Sequence, residues 1–402
     1  MSVFHELQER GYLEQCTHEE ELKALLEKES VTFYIGFDAT ADSLTLGHFI
    51  QIMVMKRMQN HGHRPIALLG AGTTMIGDPS GRTDMRNLMT KEQIQHNADC
   101  FERQFRKFLD FSEGKAIFEN NAKWLLEPKF VEFMRDIGQH FTISRMLAMD
   151  AYKNRLGEGL TFFEFGYLLL QSYDFLELFR RHNCKLQMGG SDQWSNIIGG
   201  YELVRKIERD EVYGMTFNLL TTATGEKMGK SMKGAVWLDP EKTPPYEMYQ
   251  YLRNVDDRDV EKFLLQLTFV PTEECKELGK LGGERINEGK ERLAWEVVKV
   301  VHSEEAANEA QATARAIFAN QGSDENMPSS EITVPEEGMG LLDLLKEAGL
   351  TKSNGEGRRL VQQGGISIDD EKVEDPALVI EKDRGSFVVK KGKKVFHRIH
   401  VK

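Results

Sequence analysis

Residues 37–48, FDATADSLTLGH, follow an apolar run, TFYIGF at 32–37, and precede a helical pattern, FIQIMVMKRMQNHG at 49–62. The apolar run predicts a buried strand, and the residues after the polar stretch repeat with helical period. Ser43 or Thr45 is the expected N-cap of the helix, because a short hydroxyl side chain satisfies free N–H groups of a first turn. The stretch therefore predicts the first strand–turn–helix unit of an α/β fold.

The polar turn in this unit has the features of a phosphate site. Thr45 and His48 are three residues apart, so they share one face of the first helical turn. The positive end of the helix dipole and the unpaired backbone N–H groups lie there and favour an anion. Gly47 has no side chain, which would let a planar base approach the backbone closely. An ordinary capped turn between a strand and a helix would show the same local pattern.

A second polar stretch, GEKMGKS at 225–231, lies about 180 residues further along the chain. It carries Lys227 and Lys230, three residues apart, with glycines around them. Alone, this pattern is typical of a solvated basic loop. Together, SLTLGH after a first strand and KMGKS after the last one resemble the HIGH-type turn and the KMSKS-type loop of the class I aminoacyl-tRNA synthetases. The separation fits one nucleotide-binding domain of ordinary size.

The composition is typical of a globular protein with two or three domains: 402 residues, 40% of them hydrophobic and 29% charged. No apolar run reaches the roughly 18 residues of a membrane span, and the acidic N-terminus has no secretory signal. The four cysteines form no C-x-x-C pair, which predicts reduced thiols in the cytoplasm and no zinc cluster. The net charge of −12 argues against a chain that coats nucleic acid but allows a local basic surface.

The chain alternates apolar runs with helical segments from residue 31 to about residue 222, which predicts a Rossmann-like parallel sheet. Its clearest strands are TFYIGF, RPIALLGAGTTMIG and KLQMGG. We expect residues 1–30 to form a helical lead-in and residues 90–155, approximately, to form a helical insertion. The catalytic domain is predicted to span residues 1–232.

Three further segments follow the catalytic domain. Residues 233–320 have helical patterns and predict an all-helical domain, and the polar, turn-rich residues 321–338 predict a linker. Residues 339–402 predict two helices and a hairpin, which make a small α+β domain with a basic end. With Arg358 and Arg359 in its second helix, this pattern resembles a small RNA-binding domain of a ribosomal protein. A solvated basic tail would have a similar composition.

A stripe of buried polar residues points to a second ligand. In TFFEFGYLLLQSYDFLELF, residues 161–179, apolar side chains point nearly all round, yet Tyr167, Gln171 and Asp174 fall on one stripe. A carboxylate and an amide buried together need partners, which are either other side chains or a polar ligand. Two more polar groups are expected at strand ends, where ligands bind in such sheets: Tyr34 and Asp78.

Five motifs extend the resemblance to essentially the whole chain. YIGFDATADS, IGDPSGR, EFGYLLLQSYDF, GGSDQWSN and KMGKS, in this order, resemble those of the bacterial tyrosyl-tRNA synthetases. The resemblance implies that L-tyrosine and ATP form tyrosyl adenylate and pyrophosphate, and that tyrosine then passes to the 3′ end of tRNA(Tyr). It also implies Mg²⁺ that arrives with ATP, no metal held by the protein, a homodimer formed through the insertion, and tRNA contacts by residues 233–320, in the anticodon region, and by residues 339–402.

The resemblance further implies roles for single residues. The phenol oxygen of tyrosine would be bound by Tyr34 and Asp174. Its ammonium group and the rest of the amino-acid pocket would involve Asp78, Tyr167, Gln171, Gln187 and Gln193. The phosphates of ATP would contact Thr40, Thr45, Arg82, Arg86, Lys227 and Lys230. Other parts of ATP would contact Gly36, Asp38, Gly47, His48, Gly190 and Asp192, with His48 and Asp192 near the ribose.

The chain departs from the family pattern at three positions. Thr45 stands where the signature has its first histidine, and Ile35 and Ala39 differ from the commonest residues. Three alternatives share parts of the pattern: a synthetase for another amino acid, above all tryptophan; a non-catalytic RNA-binding protein; and a ligase with another acceptor. Tyr34 and Asp174 favour tyrosine, because a hydroxyl and a carboxylate can bind a phenol as donor and acceptor.

Overall fold

The computed structural model describes residues 2–80, 89–153, 157, 159–231, 234–318, 327–369, 371–392 and 395–402, and of Lys230, Ser231, Ile317 and Phe318 only the backbone. The chain forms two compact units. The first contains the residues up to Gly229 together with Trp237–Asp239 and Glu261–Glu277. The second contains Lys230–Val236, Pro240–Val260 and Leu278–Lys402. Within the described ranges, no helix is both long and apolar enough to cross a membrane.

A six-stranded sheet forms the centre of the first unit. Its strands are β1 (Leu13–Cys16), β2 (Thr32–Phe37), β3 (Arg64–Leu69), β4 (Ile117–Asn120), β5 (Cys184–Gly190) and β6 (Tyr213–Phe217). Their spatial order is β1-β6-β5-β2-β3-β4, and all pairs are parallel except β1 with β6. The connections run from β2 to β3 on one side and later to β5 on the other, so the sheet has its switch point between β2 and β5. Ligands of open α/β sheets bind at the carboxyl ends of strands at this point.

Strand β2 has the bounds that the apolar run predicts. Tyr34 pairs with Ile66 on β3 and with Gln187 on β5. Phe33, Tyr34 and Ile35 are almost fully buried, as expected for a central strand of a parallel sheet. The first strand therefore places Tyr34 in the interior, beside the switch point.

The helices that connect these strands are α1 (Val3–Glu9), α2 (Glu19–Lys28), α3 (Leu46–Asn60), α4 (Ala71–Thr74), α5 (Lys91–Phe108), α6 (Ala122–Leu125), α7 (Phe130–Asp136), α8 (Ile143–Leu147), α9 (Asp150–Lys153), α10 (Phe162–Phe165), α11 (Tyr167–His182) and α12 (Trp194–Glu208). Of the two predicted N-caps of α3, the structure selects Thr45. Parallel strands alternating with helices confirm the predicted Rossmann-like α/β class.

Three local predictions for this unit differ from the structure. The run RPIALLGAGTTMIG is a strand only to Leu69, because the hydroxyl of Thr74 donates to the carbonyl of Gly70 and the chain turns into α4. The predicted helical insertion at about 90–155 contains β4, which pairs with β3. The predicted helical lead-in contains β1. Both missed strands have four residues at an edge of the sheet, which is too short for a period of two to stand out.

Most of the segment after residues 220–231, the loop that carries Lys227 and Lys230 (the lysine loop), is helical, in line with the prediction for residues 233–320. Two short strands, β7 (Lys230–Ser231) and β8 (Gly234–Ala235), precede α13 (Pro245–Arg253), α14 (Val260–Leu267), α15 (Thr272–Gly279), α16 (Ile286–Val301) and α17 (Glu304–Phe318). Most of α14 and α15 belongs to the first unit, so the compact units do not follow the predicted boundary at residue 232.

Two buried arginines account for that membership. Arg10, at the end of α1, donates to the carbonyls of Leu265 (3.1 Å) and Val270 (2.9 Å). Arg57, in α3, donates to the carbonyl of Thr268. Charged donors satisfy the backbone at the C-terminal end of α14, where helix carbonyls have no partner within the helix.

The C-terminal residues form a small α+β structure, as predicted. Its elements are β9 (Ser329–Ile332), β10 (Met339–Gly340), α18 (Leu341–Glu347), α19 (Asn354–Gln362), β11 (Ile366–Ile368), β12 (Glu371–Lys372), β13 (Val379–Ile380), β14 (Ser386–Lys391) and β15 (Val395–Val401). The main sheet has the order β12-β11-β14-β15-β9. Part of the predicted linker at 321–338 is strand β9, which pairs in parallel with β15 and brings Ile332 and Val334 into the core.

Candidate active site

An open cavity of about 1030 Å³ lies at the carboxyl ends of β2 and β5. Among the predicted site residues, those that line it are Tyr34, Gly36, Asp38, Thr40, His48, Asp78, Tyr167, Gln171, Asp174, Gln187, Gly190, Asp192 and Gln193. Thr45, Gly47 and Lys227 lie outside this lining. Arg82 and Arg86 fall outside the described residues, as does the side chain of Lys230. The cavity thus collects residues from strands, turns and a helix that are far apart in the chain.

A buried carboxylate forms one end of the cavity. Asp174, in α11, accepts hydrogen bonds from Nε1 of Trp124 (2.8 Å) and from Nδ2 of Asn121 (3.0 Å). Asn121 is itself fully buried, and its Oδ1 accepts the backbone N–H of Gly72 at 2.7 Å. Neither Asn121 nor Trp124 was among the site residues predicted from the sequence. The buried carboxylate itself is the signal that could have found them, because it needs hydrogen-bond donors. Asparagine and tryptophan side chains are such donors, and these two residues follow the end of a strand.

The environment of Asp174 sets its charge and that of its neighbour Tyr34. Burial raises the pKa of Asp174 to about 7, although the two hydrogen bonds from Asn121 and Trp124 oppose this shift. Burial, assisted by the Asp174 charge, raises the pKa of Tyr34 well above its usual value, so its hydroxyl is neutral. That hydroxyl is buried and has no hydrogen-bond partner. Tyr34 therefore offers an unused donor to a ligand that carries a hydroxyl group, and each Asp174 oxygen, which accepts one hydrogen bond, has a further lone pair for it.

A second carboxylate connects the cavity wall to the turn after β2. Oδ1 of Asp38 accepts from the hydroxyl of Thr73 (2.9 Å), and its Oδ2 accepts from that of Tyr167 (3.4 Å). A Cβ atom at Gly70 would lie only 2.4 Å from Oδ1 of Asp38, so the backbone there must come this close. Thr73 also lines the cavity and was missed, because a threonine in an apolar run reads as a strand residue.

A chain of amides surrounds the third carboxylate, Asp78. Its Oδ2 accepts from Nε2 of Gln193 at 2.6 Å, and Nε2 of Gln171 donates to Oε1 of Gln193 at 3.3 Å. The buried amide of Asn196, also missed in the sequence, donates to the same Gln193 oxygen at 3.2 Å. Oε1 of Gln171 and Oε1 of Gln187 are buried without a partner. This side of the cavity therefore has acceptors available for a cationic or donor group.

The turn before α3 is held by its own first residues. The backbone N–H of Thr45 donates to Nδ1 of His48 at 3.0 Å, and the Thr45 hydroxyl lies 3.1 Å from the same atom. A neutral His48 ring therefore carries its proton on Nε2, and the ring lines the cavity. Gln51, one turn further along α3, also lines the cavity and was missed.

Buried amides from α5 fix the residues before that turn. Nδ2 of Asn97 donates to the carbonyl of Ala39 at 2.9 Å. Oε1 of Gln104 accepts the N–H of Leu44 at 2.9 Å, and its Nε2 donates to the hydroxyl of Ser43 at 3.1 Å. The chain around Thr40 is thus set by helix packing and does not depend on a ligand.

The lysine loop packs against the same turn. A Cβ atom at Gly229 would lie 3.1 Å from the backbone nitrogen of Gly47, and Gly229 has a φ of +96°. The HIGH-type and KMSKS-type stretches therefore meet through two glycines. Lys227 is exposed. Burial raises the pKa of Asp192, and the positive charge of Lys227 opposes this shift in part.

Comparison with known proteins agrees with the two signatures. Residues 26–319 match the family model described as class I tRNA synthetases (W and Y), and residues 319–399 match that of the tyrosine–tRNA ligase SYY-like C-terminal domain. A tyrosine–tRNA ligase of Caldanaerobacter subterraneus subsp. tengcongensis is 58% identical over 405 residues, with 100% of both chains covered. That of Acetivibrio thermocellus is 57% identical, with 99% of both chains covered.

Solved structures give the same result for the fold. A C-terminally truncated mitochondrial tyrosyl-tRNA synthetase of Aspergillus nidulans has a TM-score of 0.71 at 28% identity, over 79% of this chain and 94% of the other. The corresponding protein of Coccidioides posadasii has a TM-score of 0.66 at 32% identity, over 77% of this chain and 91% of the other.

The raised pKa of Asp174 predicts how stability depends on pH. The pKa is about 7 in the folded protein and about 3.9 in an unfolded chain, so the folded state holds the extra proton between these values. We expect the unfolding midpoint of the unsubstituted protein, relative to that of Asp174→Asn, to fall as the pH rises from about 4 to about 7 and to level off above. Thermal unfolding measured across this range checks the prediction.

Asp110→Asn is the control for this experiment. Hydrogen bonds from Lys115 and Ser112 hold the pKa of the exposed Asp110 well below its usual value, so its contribution changes only at lower pH. A midpoint difference for Asp174→Asn that stays constant between pH 4 and pH 8 would show that Asp174 is ionised throughout.

Proposed function

Because the chain belongs to the tyrosine–tRNA ligases, a family of class I aminoacyl-tRNA synthetases, we propose how its own residues carry the two steps of that reaction. The protein activates L-tyrosine with ATP and transfers it to the 3′ end of tRNA(Tyr). The observation that carries the substrate assignment is the buried, unpartnered hydroxyl of Tyr34 beside the Asp174 carboxylate.

The phenol of tyrosine binds between Tyr34 and Asp174 in this proposal. The Asp174 carboxylate accepts a hydrogen bond from the phenol hydroxyl, and the Tyr34 hydroxyl donates to the phenol oxygen, which gives the buried hydroxyl its missing partner. Asn121 and Trp124 keep the carboxylate oriented. A substrate without this hydroxyl leaves buried polar groups unpaired, which weakens its binding.

The ammonium group of tyrosine binds on the opposite side, near Asp78, Tyr167 and Gln171. Support comes from the free oxygens of Gln171 and Gln187 and from the carboxylate of Asp78, which is linked to Gln193. Together these groups supply the acceptors that a substrate ammonium needs.

ATP lies along the turn before α3, where Thr40, Thr45 and the exposed Lys227 contact its phosphates. The ribose lies between His48 and Asp192, with Gly36, Asp38, Gly47 and Gly190 leaving room for the nucleotide. Similarity to the family alone supports phosphate contacts for Arg82, Arg86 and Lys230.

We also propose that Mg²⁺ enters with ATP. Within the described ranges, no group of three or more His, Cys, Asp or Glu residues could hold a metal ion.

The first step needs no general base. The tyrosine carboxylate, ionised at neutral pH, attacks the α-phosphorus of ATP, and pyrophosphate leaves. The turn at α3 and the lysine loop position the phosphates and stabilise the charge that develops on them. In the second step a hydroxyl of the terminal adenosine of tRNA attacks the tyrosyl carbonyl carbon, and AMP leaves.

Transfer RNA binds to the helical residues 233–320 and to residues 339–402 in this proposal. Arg358 and Arg359 are exposed on α19 and can contact phosphates.

We propose that the protein works in the cytoplasm. Its four free thiols support this, because cysteines stay reduced there.

Tyr34→Phe tests the phenol site. It removes a hydroxyl that has no partner in the free protein, so the unfolding midpoint should not fall, while KM for tyrosine should rise roughly 2- to 10-fold. Exchange of labelled pyrophosphate into ATP, measured with tyrosine and with phenylalanine, checks this, and the variant should discriminate less between them.

Tyr152→Phe is the matched control. Tyr152 is equally buried, but its hydroxyl donates to the carbonyl of Phe165 (3.1 Å) and accepts from the N–H of Leu168 (3.3 Å). This variant should lose stability and keep its preference for tyrosine. An unchanged preference in Tyr34→Phe would mean that Tyr34 does not contact the phenol.

Gly229→Ala tests the contact between the two signatures. A Cβ atom at Gly229 presses on the backbone nitrogen of Gly47, and the φ of +96° strains any other residue. We expect the rate of pyrophosphate exchange to fall about 10-fold or more, with tyrosine binding unchanged. Gly225→Ala controls for strain alone, because Gly225 has a φ of +83° but no atom near its Cβ position. Equal losses in both variants would argue that the contact with Gly47 has no role.

A homodimer is the assembly we propose, formed through an apolar face at the helical insertion. The exposed large apolar side chains of the insertion, which define this face, are Leu126, Phe130, Val131, Met134 and Ile143. Phe130 and Val131, which are adjacent in the chain, have 70% and 74% of their surface exposed, which is costly in water for large apolar side chains.

Phe130→Asp combined with Val131→Asp tests this assembly. Charges on the apolar face should convert dimers into monomers, because they would have to be buried without partners. Light scattering at micromolar concentration measures the mass. Val379→Asp places a charge on another exposed apolar residue and should leave the mass unchanged. A double variant with the mass of the unsubstituted protein would exclude this face.

A further inference from the structure

Lys262 reaches from α14 to the base of the lysine loop. Its Nζ donates to the carbonyl oxygen of Thr221 at 2.8 Å and lies 3.2 Å from the Thr221 hydroxyl. Both residues belong to the first compact unit. Hydrogen bonds from an ammonium group are stronger than those between neutral groups, so this contact fixes Thr221 firmly.

Thr221 is the residue that faces Lys227 in the loop. The two form an antiparallel bridge, and the N–H of Met228 donates to the carbonyl of Leu220 at 2.8 Å. Thr222 closes the turn beyond them, since its N–H donates to the carbonyl of Glu226 at 2.8 Å. The loop is thus a small hairpin, in which residues 220–222 pair with residues 226–228 and so determine the position of Lys227.

The helix that carries Lys262 is a rigid support. Phe263 and Leu264, next to Lys262 in α14, are fully buried. At the other end of α14, Arg57 donates to the carbonyl of Thr268. Arg57 lies in α3, the helix whose first turn holds Thr45 and His48. The region of α14 is therefore hydrogen-bonded at one end to the base of the lysine loop, through Lys262, and at the other end to the last turns of α3, through Arg57.

We propose that Lys262 is a positioning residue for the first step of the reaction. It holds Thr221 in place, and Thr221 in turn fixes the position from which Lys227 contacts the phosphates of ATP. The proposal rests on the phosphate-binding role proposed for Lys227. Without the ammonium group, the base of the hairpin is exposed to water and Lys227 samples many positions. The pyrophosphate-forming step depends on that position, whereas tyrosine binding between Tyr34 and Asp174 does not.

Lys262→Met keeps the length of the side chain and removes its donors. We expect it to lower the rate of pyrophosphate exchange about 10- to 100-fold and to leave the dissociation constant for tyrosine, measured by equilibrium dialysis without ATP, unchanged. Lys262→Arg, which retains charge and donors, should restore most of the rate. Lys276→Met is the control, because Lys276 lies on α15 and pairs at the surface with Glu9 (2.9 Å) and Glu273 (3.0 Å).

Thr221→Val adds a test of the specific contact. It removes the hydroxyl that Lys262 contacts, so its effect should be much smaller in the Lys262→Met background than in the unsubstituted protein. Additive effects, a rate for Lys262→Met equal to that of Lys276→Met, or a parallel loss of tyrosine binding would each overturn the proposal. If the unsubstituted protein shows no tyrosine-dependent exchange, the proposed function itself fails, and this inference fails with it.

Discussion

The buried carboxylate of Asp174 constrains the structure around the cavity, because it needs hydrogen-bond donors in place of water. Asp174 has lost its contact with water, and burial alone would make it neutral at physiological pH. Asn121 and Trp124 supply the two donors that favour its charged form, and Asn121 is in turn fixed by the backbone after β3. The carboxyl ends of β3, β4 and the helix α11 must therefore meet at one point. The fold around the cavity thus supplies the hydrogen-bond donors that stabilise the charged form of this carboxylate.

The groups proposed to bind tyrosine and those proposed to bind ATP differ in how deeply they are buried. Tyr34, Asp78, Asp174 and Gln187 are all buried and belong to the sheet, to α11 or to the loop after α4. The lysine loop is exposed from Ala223 to Lys227 and is held mainly at its base. A rigid pocket suits a substrate that must be distinguished by one hydroxyl group, and an exposed loop suits phosphates that arrive with ATP and leave as pyrophosphate.

The sequence alone was sufficient where a residue acts through a local pattern. TFYIGF has the length and the apolar character of a central strand, and Thr45 caps the next helix through chemistry that is local to one turn. It was insufficient where the partner is distant. Asn121 and Trp124 follow a four-residue edge strand whose pattern is too short to recognise. The packing of α14 in the first unit depends on Arg10 and Arg57, which lie more than two hundred residues earlier. The sequence around these arginines gives no indication of that contact.

The buried guanidinium of Arg57 also gives the N-terminal helix an unexpected importance. Glu6 of α1 pairs with Arg57 and, at 2.7 Å, with His61, so the first helix supplies the counter-charge at the C-terminal end of α3. A shortened chain that begins after residue 10 would leave Arg57 charged in the interior without its carboxylate, a defect that typically costs about 3–5 kcal/mol. Removal of the N-terminal helix would therefore disturb α3, the helix whose first turn contains His48 and whose N-cap is Thr45.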